Sequence, residues 1–214
     1  MKKVIFPMLL GMMALGAMAQ GGKFTIQGRF QCDEGDSVTI EIFDSEYELL
    51  YFETRVASAE MLELSFDLED AALLNVYDCR QGYKRHQEVP AIPGDTVLFY
   101  MEGEPYYGLG GSQFYIDYDE AVQAIEPQAI ELFEQDIRSD RYLEVLNNYE
   151  DALLAYVKNH PDQEASAALL GIFAEDATVE MGDIALLERV RNSVAAHLYK
   201  AKLARAKKNK LMIP

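Results

Sequence analysis

Along the first hundred residues, apolar and polar positions alternate. In "FTIQGRF", Phe24, Ile26 and Phe30 fall on one side and Thr25, Gln27 and Arg29 on the other. "SVTIEIF" places Val38, Ile40 and Ile42 together, opposite Thr39 and Glu41. "MLELSFDL" does the same with Leu62, Leu64, Phe66 and Leu68 against Glu63, Ser65 and Asp67. "ELLYFETRV", "LLNVYDC" and "TVLFYM" continue the series. A period of two means strands with one buried face. "DEGDS" and "PGDT" supply the breaks, and Pro93-Gly94 suits a type II turn, proline fixing φ and glycine accepting positive φ. Six or more such strands predict an antiparallel sandwich or barrel-like sheet.

The period then lengthens. Ser112 is placed to cap a helix reaching about residue 135, either continuous or broken near Pro127. A second helix is expected over 140–159, with Leu143, Leu146, Tyr149, Leu153 and Tyr156 on one stripe. "NHPD" ends it, and Asp162 is positioned to cap a short helix in "QEASAALLGIFAEDA". A long last helix is expected from Gly182, facing Ile184, Leu187, Val190, Val194, Leu198 and Ala201 inward. The predicted class is therefore α+β: a β domain over 20–107, then a segment of about four helices over 108–214.

Residues 1–19 stand outside this pattern. Lys2 and Lys3, an apolar run and Ala17-Met18-Ala19 read as a cleavable signal peptide, with a periplasmic or secreted product starting at Gln20. The apolar run is short for a bilayer span, and no later stretch is better suited, so no integral membrane segment is expected. Without the leader, 17 basic side chains face 36 acidic ones, a net charge of −19. That excess opposes nucleic-acid binding, which needs a basic face. The bases are uneven: Lys200, Lys202, Arg205, Lys207, Lys208 and Lys210 fall in 200–210 with no acid among them, where the simplest reading is a solvated helix end opposing the helix dipole.

Candidate chemistry is sparse. Cys32 and Cys79 could pair in an oxidising compartment, or stay as two separate buried thiols. A bridge would add about 4 kcal/mol in the chain-entropy account. There is no CxxC, and His86, His160 and His197 lack metal-ligand spacing. No nucleophile elbow, phosphate loop or cofactor motif is present, and "GLGG" at 108–111 reads as a flexible link. "IDYDEA" lacks the glycine and distal glutamate of a calcium loop, so Asp117, Asp119 and Glu120 read instead as acids favouring a helix start. Tyr106, Tyr107, Tyr115 and Tyr118 form a candidate binding surface for a glycan or peptide. The alternative is an aromatic belt that packs helix on sheet. The many carboxylates also allow a carbohydrate hydrolase, though no spacing in the sequence identifies its pair.

Four stretches in order, "FTIQGRF", "AIPGDTVLFYMEG", "GLGGS" and "YVKNHPDQEASAALL", resemble domain of unknown function 4369 over nearly all of 23–214. That family is the N-terminal module of Bacteroidetes-type TlpA/ResA-like thiol:disulfide interchange proteins. The resemblance implies a β-sandwich, a helical segment, and then a thioredoxin-like domain carrying CxxC. "KKNKLMIP" is similar to the entrance of that domain, but CxxC is missing, so no catalytic residue is carried over. The expectation is a non-catalytic recognition module of the envelope, without cofactor, whose partner is an envelope protein, glycan or peptide. The alternative is a redox accessory in which Cys32 and Cys79 exchange with a thioredoxin-like partner.

Overall fold

In the computed structural model, which describes residues 21–30, 37–56, 60–80, 83–100 and 107–212, the alternating stretches are strands. They are β1 (Gly22–Gly28), β2 (Ser37–Phe43), β3 (Leu49–Val56), β4 (Leu62–Leu68), β5 (Ala72–Arg80), β6 (Tyr83–Ala91), β7 (Thr96–Tyr100) and β8 (Gly108–Gly111). Two four-stranded sheets result, in the orders β4-β1-β7-β8 and β3-β2-β5-β6. Every neighbouring pair is antiparallel except β1 with β7. Those two strands are separated in the chain by the whole second sheet, so no hairpin dictates their direction.

The apolar side chains predicted to face inward do so. Phe24, Ile26, Val97 and Phe99 of one sheet share a buried cluster with Val38, Ile40, Ile42, Leu74 and Val89 of the other. This is a sandwich, with two inner faces making one core. The turn at Pro93-Gly94 forms as expected: Gly94 has φ +83°, and Asp95 N–H donates to Ile92 O at 3.1 Å. The outer edge is different. In β3, Leu49, Leu50, Phe52 and Val56 are all exposed, and β3 lies at the end of its sheet.

Six helices follow: α1 (Gln113–Phe133), α2 (Tyr142–Asn159), α3 (Glu164–Phe173), α4 (Asp176–Ala185), α5 (Glu188–Arg191) and α6 (Ala196–Met212). The helical part joins the sandwich core directly, since Tyr115, Tyr118, Ala165, Ala168 and Leu198 belong to the same buried cluster. A second cluster, including Leu153, Leu169, Leu170, Val179 and Tyr199, holds the helices together. Within α3, residues 165–171 are all buried, which explains a sequence apolar all round.

Several helix expectations are settled or corrected. α1 runs through Pro127 without a break. Packing of Tyr118, Ala121 and Ile125 before the proline outweighs the hydrogen bond it removes. The stripe on α2 uses Tyr149, Leu153 and Tyr156 as expected, but Val145 is buried while Leu143 is 68 % exposed. The long helix from Gly182 does not exist. Gly182 lies inside α4, and the chain turns extended at Leu186 and Leu187, where Leu187 N–H donates to Pro161 O at 2.9 Å. Ile184 is consequently 82 % exposed rather than inward, and Leu187 is exposed too.

The capping expectations also change. Ser112 is the residue before α1, but its hydroxyl donates to Asp95 Oδ2 at 2.6 Å and caps nothing. Gln163, not Asp162, precedes α3. The "GLGG" stretch is strand β8, paired with β7, and not a loose link. Gly111 ends it at φ +110°, with Thr96 O so near that a Cβ would collide. Of the basic residues in α6, Lys202 donates to Ala174 O at the end of α3. Arg205 donates to Ser45 O and lies over the Tyr47 ring at 5.1 Å. Both cations therefore dock α6 onto its neighbours, while Lys200, Lys207 and Lys208 are exposed.

Candidate functional site

The outer strands β6 and β8, one from each sheet, lie side by side at one flank of the sandwich. Each has main-chain groups that no further strand satisfies. Side chains satisfy them instead. Tyr115 donates its phenol proton to Pro90 O at 2.9 Å and accepts from Ile92 N–H at 3.4 Å. Tyr118 donates to Glu88 O at 3.3 Å. Asp119 accepts from Leu109 N–H at 3.1 Å on the β8 side. All three come from the first turns of α1, so this helix seals two sheet edges at once. Pro90, which has no N–H to offer, fits a strand at a sheet edge.

Tyr107 closes the gap between the edges. Its main chain is clamped by the Gln87 amide, with Gln87 Nε2 donating to Tyr107 O at 3.0 Å and Tyr107 N–H donating to Gln87 Oε1 at 3.2 Å. Its hydroxyl donates to the buried carboxylate of Asp78. The ring meets Phe30 edge-on at 5.2 Å.

Between this seam and α1 lies a cleft of about 820 Å³. Leu109, Val122, Ile125, Ile130 and Phe133 give it apolar surface. Tyr149 of α2 and Phe173 of α3 complete the wall. Phe133 is 92 % exposed at the rim, an unusual position for so large an apolar ring. Among the side chains that the structure describes there, four carboxylates, Glu88, Asp119, Glu126 and Glu134, also line it, with one base, His86. His86 stacks on Tyr77 at 4.5 Å and has Nε2 4.0 Å from Glu88 Oε1.

The phenols here keep their protons. Burial pushes Tyr118 well above the ordinary tyrosine value, and the Glu88 charge adds to it. Tyr149 is raised by burial first and then by Glu150 and Glu88. Tyr115 is likewise raised by burial, partly offset by its hydrogen bond from Ile92. Tyr118 and Tyr115 are therefore fixed donors to backbone carbonyls and not acids or nucleophiles near neutral pH.

These positions settle how the tyrosines lie. Tyr115 and Tyr118 have no accessible surface and Tyr107 is buried, so they present no exposed aromatic platform. Tyr107 and Tyr118 form part of the cleft wall, while Tyr115 packs behind it. Tyr106 and Cys32 lie outside the described residues; Cys79 is in β5, opposite Lys84 of β6. Asp117 and Asp119 do not serve the start of α1, whose first turn holds no acid. Asp117 accepts from Gln113 Nε2 at 2.8 Å, and Asp119 from Leu109 and from Gln123 Nε2 at 2.9 Å. No group of three potential metal ligands occurs among the described residues. His160 stacks on Tyr156, and His197 Nδ1 lies 2.6 Å from Asp70 Oδ1.

Sequence reasoning missed Gln87, Glu88, Glu126 and Phe133. "YKRHQEVPA" does not alternate, so its pattern does not announce strand β6, although Pro90 is a mark of an edge strand. The other signal was the pairing of Ile130 and Phe133 with Glu126 and Glu134 on α1, apolar residues on a helix face that also carries charge. Comparisons with protein-family models, with curated proteins and with solved structures returned no match for this chain.

Proposed function

We propose that this chain is an exported, non-catalytic recognition module of the bacterial envelope that holds a partner in the cleft between α1 and the β6–β8 seam. The leader-like residues 1–19 support export, and the resemblance to domain of unknown function 4369 supports the module. The observation that carries the reading is the cleft itself. It is large and open to solvent, and it exposes Phe133 and Ile130 at its rim. Concave, mostly apolar sites with a few placed polar groups are where proteins take ligands.

The test is a photo-reactive phenylalanine analogue at position 133, in protein exported by its native host. Irradiation is expected to give a discrete higher-mass adduct. The same analogue at Ile184, equally apolar and exposed but on α4, is the control and is expected to give none. Adducts of equal yield at both positions, or none at 133, would remove the cleft as the binding site.

A further inference from the structure

We infer that the ligand of this cleft is a basic amphipathic helix, recognised by its side chains rather than by strand addition. This rests on the cleft being the recognition site. Three observations converge on it.

The first concerns hydrogen bonds. An extended peptide arrives with unpaired main-chain groups and gains most from a sheet edge that can pair with them. Both edges at this seam are already engaged. Tyr118 holds Glu88 O, Asp119 holds Leu109 N–H, and Gln87 holds both main-chain groups of Tyr107. A helix brings its main chain already satisfied and asks nothing of these walls.

The second concerns shape. The α1 residues facing the cleft recur at helical spacing, with Tyr118, Val122, Ile125, Ala129 and Phe133 forming one stripe. From Val122 to Phe133 the stripe extends about 17 Å at 1.5 Å per residue, the length of a helix of about three turns. An apolar stripe of that length beside a groove receives the apolar face of a second helix.

The third concerns charge. Asp119, Glu126 and Glu134 follow one another along α1 at steps of two helical turns, and Glu88 faces them from β6. Of the charged side chains described along the cleft, all but His86 are acidic. Opposed charge selects the partner and speeds its encounter. A complementary helix carries apolar residues three and four apart, with lysine or arginine flanking them about every second turn.

Fluorescence anisotropy with the full exported protein tests this. The probe is a labelled leucine-lysine peptide of about 18 residues with helical periodicity. Two comparators share its length: one with the same composition rearranged to period two, and one with glutamate replacing lysine. The helical basic peptide is expected to bind at least ten-fold tighter than either comparator. The double variant Glu126→Gln/Glu134→Gln is expected to weaken it by about five-fold, within the range for rim charges. Asp67→Asn/Glu69→Gln removes the same charge from exposed positions away from the cleft and is expected to leave affinity unchanged. That contrast separates a site from general attraction to an acidic protein.

Equal weakening by both double variants would overturn the proposal, as would tighter binding of the period-two or acidic peptide. If no peptide binds while position 133 still gives its adduct, the ligand class is wrong and the recognition site stands. If the adduct fails as well, the cleft reading falls with it.

Discussion

At the residue scale, the phenols of Tyr115 and Tyr118 do what strand neighbours do elsewhere. They satisfy carbonyls at the edge of β6 that would otherwise be buried without partners. Tyr118→Phe keeps the ring and removes the bond to Glu88 O; the expected cost is about 1–2 kcal/mol. Tyr115→Phe should cost more, because that hydroxyl serves both Pro90 and Ile92. Urea unfolding followed by circular dichroism measures both. The same groups set an alkaline limit. Tyr115 and Tyr118 are raised well above 10, and burial lifts Tyr156 to about 12. Above pH 10 the unfolded chain loses these protons while the folded chain keeps them, so the folded state binds more protons and stability falls as pH rises. Stability from these phenols should be unchanged below pH 10 and decline between 10 and 12, with absorbance at 295 nm reporting the delayed ionisation. A tyrosine cluster near 100–118 was legible in the sequence. Which way each ring turned was not, because helix α1 and edge strand β6 are far apart in the chain and meet only in the fold.

At the element scale, legibility followed the regularity of the pattern. β1, β2 and β4 alternate cleanly and were readable to within a residue or two, since one face is buried and the other wet. β6 and β8 were not, one for lack of alternation and the other because "GLGG" has almost no side chains to alternate. The helices show the opposite error. The apolar stripe from Ile184 through Leu187 to Val190 predicts one helix, but the chain extends at Leu186 and Leu187, where Leu187 N–H bonds to Pro161 O. Pro127, a residue that often breaks a helix, is carried within α1. Proline inside a helix costs about 3 kcal/mol in general, so α1 tolerates it at the expense of stability. Pro127→Ala should therefore raise the urea midpoint, by an amount equivalent to about 1–3 kcal/mol. No change, or a loss, would mean that the proline ring itself packs usefully against its surroundings.

At the scale of the whole molecule, sandwich and helices share one buried cluster, with Tyr115, Ala165 and Leu198 entering it from three helices. Residues on both sides of position 107 thus depend on each other, and a single cooperative unfolding transition is expected by fluorescence and by circular dichroism alike. The order of the parts, strands first and helices after, was evident from the change of period. The cleft was not, because it arises where two strand edges and a helix converge, and no single stretch of chain contains it.

The bare strand β3 has one more consequence. Phe52 is 59 % exposed and Val56 72 %, on an edge that no described element covers. Such an edge is a template for sticking to its like. What keeps copies apart in solution is mutual repulsion between bodies that each carry a net charge of −17 over the full chain, or −19 without residues 1–19. Its colloidal behaviour should then be set by ionic strength: light scattering from a concentrated solution should grow as salt shortens the screening length, and Phe52→Lys should suppress that growth.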